Sequence, residues 1–446
     1  MTDLPDDEKQ IREHAAWVGK WRAYLEIFIQ NQVDTVAMLD SMQSSISELD
    51  SYESKLRRYV KAKDIAVVFD QPERHLSDAI NYLAKNHDTW LSARAKAEED
   101  NTGESADDEK FEELNNYLEQ LRNFIKVQSG QDQVSFLQVL SLERLNRKVP
   151  GRDYSRRITE ASLTMLVAET ELFASRLVRK FIEAKPGILI ADEIKLGWRE
   201  IQNYENVAEL QDLLVSRKTD EIAAKSFDDF NYWFAKQVGE IEVDESILNL
   251  VNDATQLRHL IIHSGSRITE RALGQLRGSR YSKRMLGKRI PLTSSDLATF
   301  ASAQITYSLI LWILLVSKLA KSNAGRSEHV FGSISQIQVL LLEKNLPEPI
   351  ILTRDLVSRQ AKSEMDADIA FVNHCLAKGQ IGDSSYLVEV SEWDCHAKSE
   401  IIQLVKVVLE GNLTAAAQRA EDLIASGVLP KRNLYEWPVF APLRSL

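Results

Sequence analysis

The 446-residue sequence is poor in the residues that mark several common classes of protein. It has two cysteines, Cys375 and Cys395, which is too few for a disulfide framework and favours a reducing compartment, the cytoplasm. Ten prolines and 17 glycines are also few for this length, so long helices can form without a breaker. The acidic start MTDLPDDEKQ is unlike a signal peptide.

Motifs for cofactors and for common enzymes are also missing. The sequence has no glycine-rich phosphate loop, no Gly-x-Ser-x-Gly and no His-Glu-x-x-His. Two Cys/His pairs, His374-Cys375 and Cys395-His396, supply ligand types for zinc, but adjacent side chains chelate one ion poorly. We therefore predict neither a metal nor a cofactor.

The net charge of −11 excludes a general attraction to nucleic acid or to an anionic membrane. Any site for a polyanion must therefore be a local basic patch. Residues 297–317 carry no charge, which suits either a core helix or a membrane span. Serine, threonine, glutamine and tyrosine interrupt this segment, so we favour the core helix and expect no membrane contact.

The pattern predicts an all-α protein in three parts, because no period-two alternation and no βαβ rhythm is found. The parts are an N-terminal long-helix region (1–150), a central helical bundle (151–324) and a small C-terminal α domain (325–446). In the first part, residues 7–62 predict one or two long helices whose heptad-like seam suits an intramolecular hairpin or an intermolecular coiled coil. The seam consists of Val33, Val36, Leu39, Met42, Ile46, Leu49, Tyr52, Leu56 and Tyr59.

Further helices are predicted along the rest of the chain. In the first part of the chain, helices are predicted at 74–97 and near 109–146. Between them begins an acidic segment, 98–113, whose first part we interpret as a solvated loop, and KVPGRD at 148–153 marks a boundary. Later helices are expected at 155–183, 206–217, 227–238, 245–263 and 294–320. SNAGRSE, 322–328, is typical of a linker, and a helical hairpin is expected to turn at Gly411-Asn412.

The stretch LRHLIIHSG, 257–265, places three polar side chains in an apolar helix end. On an ideal wheel one apolar stripe collects Ile247, Leu250, Val251, Ala254, Leu257 and Ile261. Arg258 lies at the edge of the stripe, whereas His259 and His263, four residues apart, share another side. Leu260 and Ile262 are expected to flank the histidines rather than both to join the core. Arg258 could pair with Glu169 or Glu171 while the histidines bond at the helix end. Alternatively, these groups form an anion site at a subunit interface.

The string Arg258-His259-Leu-Ile-Ile-His263 resembles the signature of the HEPN superfamily: arginine, a polar residue, three further residues, then histidine. The resemblance covers about residues 151–324. HEPN domains of this kind are typical of prokaryotic toxin and antiviral defence proteins. It implies a metal-independent endoribonuclease whose cleft is completed by a homodimer. His263 would be the general acid or base, Arg258 would stabilise the phosphate, and His259 would orient them. Since many members lack catalysis, a scaffold that assembles with partner proteins is the alternative.

A cluster of basic residues follows the motif within RGSRYSKRMLGKR. Its members are Arg277, Arg280, Lys283, Arg284, Lys288 and Arg289, and Arg267 and Arg271 lie just upstream. No acid interrupts the cluster, so we predict contacts to an RNA backbone, with Tyr281 available for stacking. A solvated loop, or docking on acidic stretches of the same protein, is the other interpretation.

Overall fold

The computed structural model describes residues 6–60, 154–190, 201, 204–278, 280–321 and 323–445. These residues are mostly helical and contain no β-strand, which confirms the all-α prediction. The helices predicted at 74–97 and 109–146, the acidic segment 98–113 and the boundary at 148–153 lie outside the described residues.

The helices of the N-terminal and central regions follow the predicted order. They are α1 (Asp6–Val60), α2 (Tyr154–Ala184), α3 (Gly187–Ile190), α4 (Val207–Ala223), α5 (Phe227–Gln237), α6 (Glu245–His263), α7 (Glu270–Gln275) and α8 (Ser294–Ala320). The predicted helices at 155–183, 227–238, 245–263 and 294–320 are therefore confirmed within a residue at each end, and α4 extends past the predicted 217.

The C-terminal helices are shorter. They are α9 (Ala324–Glu343), α10 (Glu348–Leu352), α11 (Arg354–Ser358), α12 (Glu364–Gln380), α13 (Tyr386–Glu392), α14 (Glu400–Leu409), α15 (Leu413–Ala425) and α16 (Lys431–Glu436). The predicted hairpin is confirmed, because α14 and α15 join at Gly411, whose φ of 79° lies in the region that glycine adopts without strain.

Two apolar cores show how the long helices run. In the first core, residues 18–29 of α1 and 173–181 of α2 meet the start of α6 and the second half of α8. In the second core, Leu39, Leu163 and Leu257 meet Leu297 and the adjoining turn of α8. Both cores thus contain α1, α2, α6 and α8, so α1 and α6 run in one direction and α2 and α8 in the other. These four helices pack together, and the motif helix α6 is one of them.

Buried polar contacts fix the relative positions of these helices. The Gln32 amide donates to the carbonyl of Leu166 at 2.9 Å, and the Thr170 hydroxyl donates to Gln304 at 2.9 Å. The Trp312 indole donates to the carbonyl of Trp21 at 2.9 Å. Because a shifted helix would leave these buried groups unpaired, the contacts disfavour any other alignment of α1, α2 and α8.

The uncharged helix α8 packs as a core helix. Thr293 and Asp296 form a capping box at its N-terminus, which fixes where the helix begins. It is long and apolar enough to cross a membrane, and 83% of its apolar window is buried inside the protein. Trp312, fully buried, is among the largest side chains of the first core. The burial agrees with the interpretation favoured from the sequence.

The prediction of a linker at 322–328 is wrong from residue 324 onward, because a helix begins there. Asn323 accepts a hydrogen bond from the Arg326 N–H at 3.1 Å and so caps α9, which begins at Ala324. The apolar side of α9, including Phe331 and Ile337, completes the first core against α8. Polar residues at a helix N-terminus resemble a linker in composition, and the cap explains why this segment is helical.

Contacts divide the chain into two compact units. One contains Met1–Asp40 and Ile158–Leu446, and the other contains Ser41–Arg157. Within the first, a third core joins α12 to α14, α15 and the C-terminal 3₁₀ segment Pro438–Ser445. The domain limits at 150 and 324 stay predictions. Of the heptad-like seam, Leu39 is buried in the second core with Val36 beside it, and the side chains from Ile46 to Tyr59 lie outside the described residues.

Candidate functional site

The motif helix α6 begins and ends where its sequence predicts. The Asp244 carboxylate accepts a hydrogen bond from the Ser246 N–H at 2.8 Å, and Glu245 lies favourably in the first turn. The helix ends at His263, and the backbone then turns through Gly265 and Ser266 with φ of 57° and 63°. This turn leaves the histidine end of α6 at the protein surface.

Arg258 forms an ion pair with a carboxylate of the same chain. Its guanidinium Nη2 lies 3.5 Å from Glu171 Oε2 of α2, and the arginine side chain is 30% exposed. Its Nε is shielded from solvent and has no hydrogen-bond partner in the described part of the chain. The other candidate partner, Glu169, instead accepts from the Asn31 amide at 3.0 Å. The ion pair is therefore loose and leaves one donor unsatisfied.

His259 and His263 lie together on the exposed side of α6. Their ring centroids are 4.5 Å apart, as expected for side chains one helical turn apart. Partial burial lowers the pKa of His259, and the charges of His263, Arg271 and Arg258 lower it further. Burial and the neighbouring basic groups therefore both act against protonation of His259.

One detail of the predicted wheel is wrong. Leu260, expected beside the histidines, is 1% exposed and packs in the second core, whereas Ile262 is 48% exposed. Ile268 and Ala272, which follow the turn, cover this side of α6 and bury Leu260. The exposed side of the helix end is therefore formed by His259, Ile262 and His263.

Two buried polar residues of α6 carry a role that the sequence interpretation missed. The Asp253 carboxylate accepts hydrogen bonds from the backbone N–H groups of Arg277 and Gly278, at 2.7 and 2.8 Å. The amide of Asn252 donates to the carbonyl of Gln275 at 2.9 Å. The signal was an Asn-Asp pair in the chain between Val251 and Ala254, two members of the apolar stripe. These residues attach the basic loop to the motif helix.

The basic loop is folded rather than irregular. It contains α7 and a 3₁₀ turn at Lys283–Met285. Ile268 and Lys288 pair their backbones, because the Ile268 N–H donates to the Lys288 carbonyl at 2.9 Å and the Ile290 N–H donates to Ser266 at 2.9 Å. Both ends of the loop are thus held beside the end of α6.

The predicted RNA-binding cations fall into two groups. The Nη2 atom of Arg277 donates to both carboxylate oxygens of Asp228, at 2.7 and 2.6 Å, and Arg280 pairs with Asp296. The others are exposed, and no acid pairs with them among the described residues: Lys283, Arg284, Lys288 and Arg289. Only the second group presents its full charge to solvent.

Tyr281 is less open than the stacking prediction requires. Its hydroxyl accepts a hydrogen bond from Arg280 at 2.8 Å, and its ring packs against the second core. Burial raises the pKa of this phenol. A nucleobase could reach at most one part of the ring. Tyr281 is therefore mainly a structural residue of the loop.

The outer face of α2 is apolar and exposed. It presents Ala161, Met165, Ala168 and Leu172. Glu171 faces Arg258, and α2 runs antiparallel to α6. Leu172 of this face directly follows Glu171, which pairs with Arg258.

The cysteines lie apart from this region. Burial raises the pKa of the Cys375 thiol to about 12, and that of Cys395 is also raised, so both thiols are protonated. His374 is buried beside Arg354, at 3.2 Å between the two nitrogens. The described residues contain no group of three or more ligands that could hold a metal ion.

Comparisons with protein-family models, with curated proteins and with solved structures give no match for this chain.

Proposed function

We propose that the chain is a metal-independent endoribonuclease of the HEPN type that acts as a homodimer. The observation that supports this proposal is the exposed pair His259 and His263 at the end of α6, with Arg258 one position before it. The unpaired cations of the neighbouring loop, above all Lys288 and Arg289, favour a polyanionic substrate.

The chemistry needs two proton transfers and one cation. A base removes the proton from the 2′-hydroxyl, whose oxygen attacks the phosphorus, and the bond from phosphorus to the 5′-oxygen breaks as an acid protonates that oxygen. His263 carries one of these proton transfers, since an imidazole can both accept and donate a proton. Arg258 stabilises the charge on the phosphate oxygens. The products are a 2′,3′-cyclic phosphate and a 5′-hydroxyl.

A second subunit completes this site in the proposal. One subunit has a single His263, whereas the reaction needs both an acid and a base, and His259 serves to orient them. The apolar face of α2 suits contact between two copies, because exposed apolar side chains in a row favour association. Two clefts, or one shared cleft, would then lie beside the two-fold axis.

The cellular setting follows from the resemblance alone. A cytoplasmic toxin or antiviral defence protein needs its nuclease restrained until a trigger arrives. We propose that the N-terminal region 1–150 and the C-terminal region 325–446 supply this control, with or without a regulatory partner protein.

Cleavage assays test the proposal directly. The full chain is incubated with total RNA and with tRNA in EDTA, beside Arg258→Ala and His263→Ala. We expect cleavage by the wild type and a loss of at least about 100-fold in both variants. Arg432→Ala and His396→Ala, both at exposed positions far along the chain, serve as matched controls and should cleave normally. Products with 3′-hydroxyl and 5′-phosphate ends, or a strict need for a divalent ion, would contradict the mechanism.

The alternative function is a non-catalytic scaffold that assembles with partner proteins. It is favoured by two observations: Glu171 already neutralises Arg258, and the face with Met165 and Leu172 is free for contact. Absence of cleavage in every sample, together with an intact dimer and no toxicity when the chain is expressed in cells, would favour the scaffold.

A further inference from the structure

The basic groups at the end of α6 include one that the motif does not contain. Arg271 lies on α7, and its neighbour Ala272 packs in the second core with Leu260 of α6. Arg271 itself is exposed, and within the described ranges no acid pairs with it. Its charge contributes to lowering the pKa of His259. Because α7 packs against α6 and both side chains are exposed, Arg271 and His259 lie on neighbouring parts of one surface although 12 positions separate them.

The surroundings of His259 are unbalanced in charge. Every charged group that shifts its pKa is basic, namely His263, Arg271 and Arg258, and no carboxylate offsets them. Such a cluster is destabilised by like-charge repulsion, and an anion placed among its members would relieve that repulsion. Arg258 can contribute least, because Glu171 lies 3.5 Å from it.

We propose that Arg271, together with the imidazoles of His259 and His263, binds a phosphate group at the C-terminal end of α6. The ligand class is a phosphomonoester or phosphodiester. The planar guanidinium contacts two of its oxygens, and an imidazole N–H contacts a third. This inference rests on the proposed function in so far as the phosphate belongs to RNA. It adds to the motif an arginine that holds the substrate.

The backbone around Arg271 suits this role. Thr269 caps α7, since its hydroxyl accepts from the Ala272 N–H at 3.2 Å, and the pairing of Ile268 with Lys288 fixes the segment just before. The short helix is thus held against α6 while the arginine stays at the surface. A rigid support lowers the entropy cost of binding, because only the side chain has to be ordered.

Titration with inorganic phosphate tests the proposal without requiring cleavage. The full chain is labelled at the Cε1 atoms of histidine, the signals of His259 and His263 are assigned with His259→Gln and His263→Gln, and phosphate is added at constant ionic strength. We expect both signals to shift and to saturate. Arg271→Ala should bind phosphate about tenfold more weakly, the loss expected for one charged donor. Arg271→Lys should bind with an intermediate affinity.

Arg432→Ala is the matched control, because Arg432 is an exposed arginine outside the motif helix and the basic loop, and it should bind phosphate as the wild type does. Equal phosphate affinity in Arg271→Ala and the wild type would overturn the proposal, as would unmoved His259 and His263 signals. An Arg271-dependent phosphate site in a chain that cleaves no RNA would support this inference and contradict the proposed function. Cleavage unaffected by Arg271→Ala, with phosphate binding also unaffected, would contradict this inference alone.

Discussion

The guanidinium of Arg258 and the carboxylate of Glu171 lie 3.5 Å apart, across two antiparallel helices. Both side chains are partly exposed, at 30% and 47%, so solvent screens their attraction. The residue proposed to stabilise a phosphate is therefore held by a weak internal ligand that an anion can replace.

Glu171→Gln removes this competing carboxylate while keeping the shape of the side chain. We expect RNA to bind more tightly by up to about fivefold, since exposed ion pairs contribute at most about 1 kcal/mol. The measurement is the affinity for a non-cleavable 2′-O-methyl RNA at low salt. Glu169→Gln is the control, because Glu169 contacts Asn31 instead of Arg258. Weaker binding by Glu171→Gln would show that the carboxylate positions Arg258 productively.

Asp253→Ala should destabilise the protein through the basic loop. The backbone N–H groups of Arg277 and Gly278 would lose their acceptor in a buried place, at a cost of about 2–4 kcal/mol. Urea unfolding measures this free energy. Asp228→Ala breaks only the exposed pair with Arg277 and should cost less than about 1 kcal/mol. Equal effects of the two substitutions would rule out the anchoring role of Asp253.

The two groups of loop cations should differ in their effect on the salt dependence of RNA binding. Replacing Lys283, Arg284, Lys288 and Arg289 with alanine should reduce the slope of log affinity against log salt by up to about 3, if each neutralises one phosphate. The double variant Arg277→Ala/Arg280→Ala should change the slope little, because both arginines are already paired with Asp228 and Asp296. Filter binding with non-cleavable RNA between about 50 and 200 mM salt measures both slopes. Identical slopes for the quadruple variant and the wild type would exclude these cations from RNA contact.

His374 should make the folded state less stable in mild acid. Burial lowers its pKa from 6.5 to about 4, and the charge of Arg354 adds to the shift. Above pH 6.5 the residue is neutral whether folded or unfolded. As the pH falls toward 4, His374 becomes protonated in the unfolded chain but stays largely neutral in the folded chain. The free energy of unfolding therefore declines by up to about 3 kcal/mol.

Urea unfolding at several pH values from about 7 to about 4 measures this decline. His374→Gln should flatten that part of the curve, whereas the exposed His396→Gln should leave it unchanged. Carboxylates with lowered pKa values, such as Glu389, also reduce the free energy of unfolding as the pH falls. The difference between the two variants therefore isolates the contribution of His374. A curve for His374→Gln as steep as that of the wild type would contradict the assignment.

Local signals were enough to predict the helix that carries the motif. Asp244 caps α6, Gly265 follows its end, and the spacing of Ile247, Val251 and Ala254 places that stripe in the core. These features depend only on neighbouring residues and on the helical period, so they can be read from one segment. The same holds for α8, whose capping box begins at Thr293.

Contacts between distant segments could not be predicted in this way. Leu260 is buried because Ile268 and Ala272 return to cover it, and no periodicity within α6 shows that return. Likewise, the sequence offered both Glu169 and Glu171 to Arg258, and only the packing of α2 against α6 selects one. The pairing of Arg277 and Arg280 with acids outside the loop divides a cluster that looked uniform in sequence.

The attachment of the basic loop to Asp253 fixes how the motif residues of α6 are rotated about the helix axis relative to the loop. Asp253 holds the loop, and Arg258 and the two histidines follow five to ten positions later on the same rigid helix. Inserting one residue between Asp253 and Arg258 would keep every side chain yet rotate the motif by about 100° relative to the loop. The number of residues between the anchor and the motif is thus as much a part of the site as the arginine and histidines themselves.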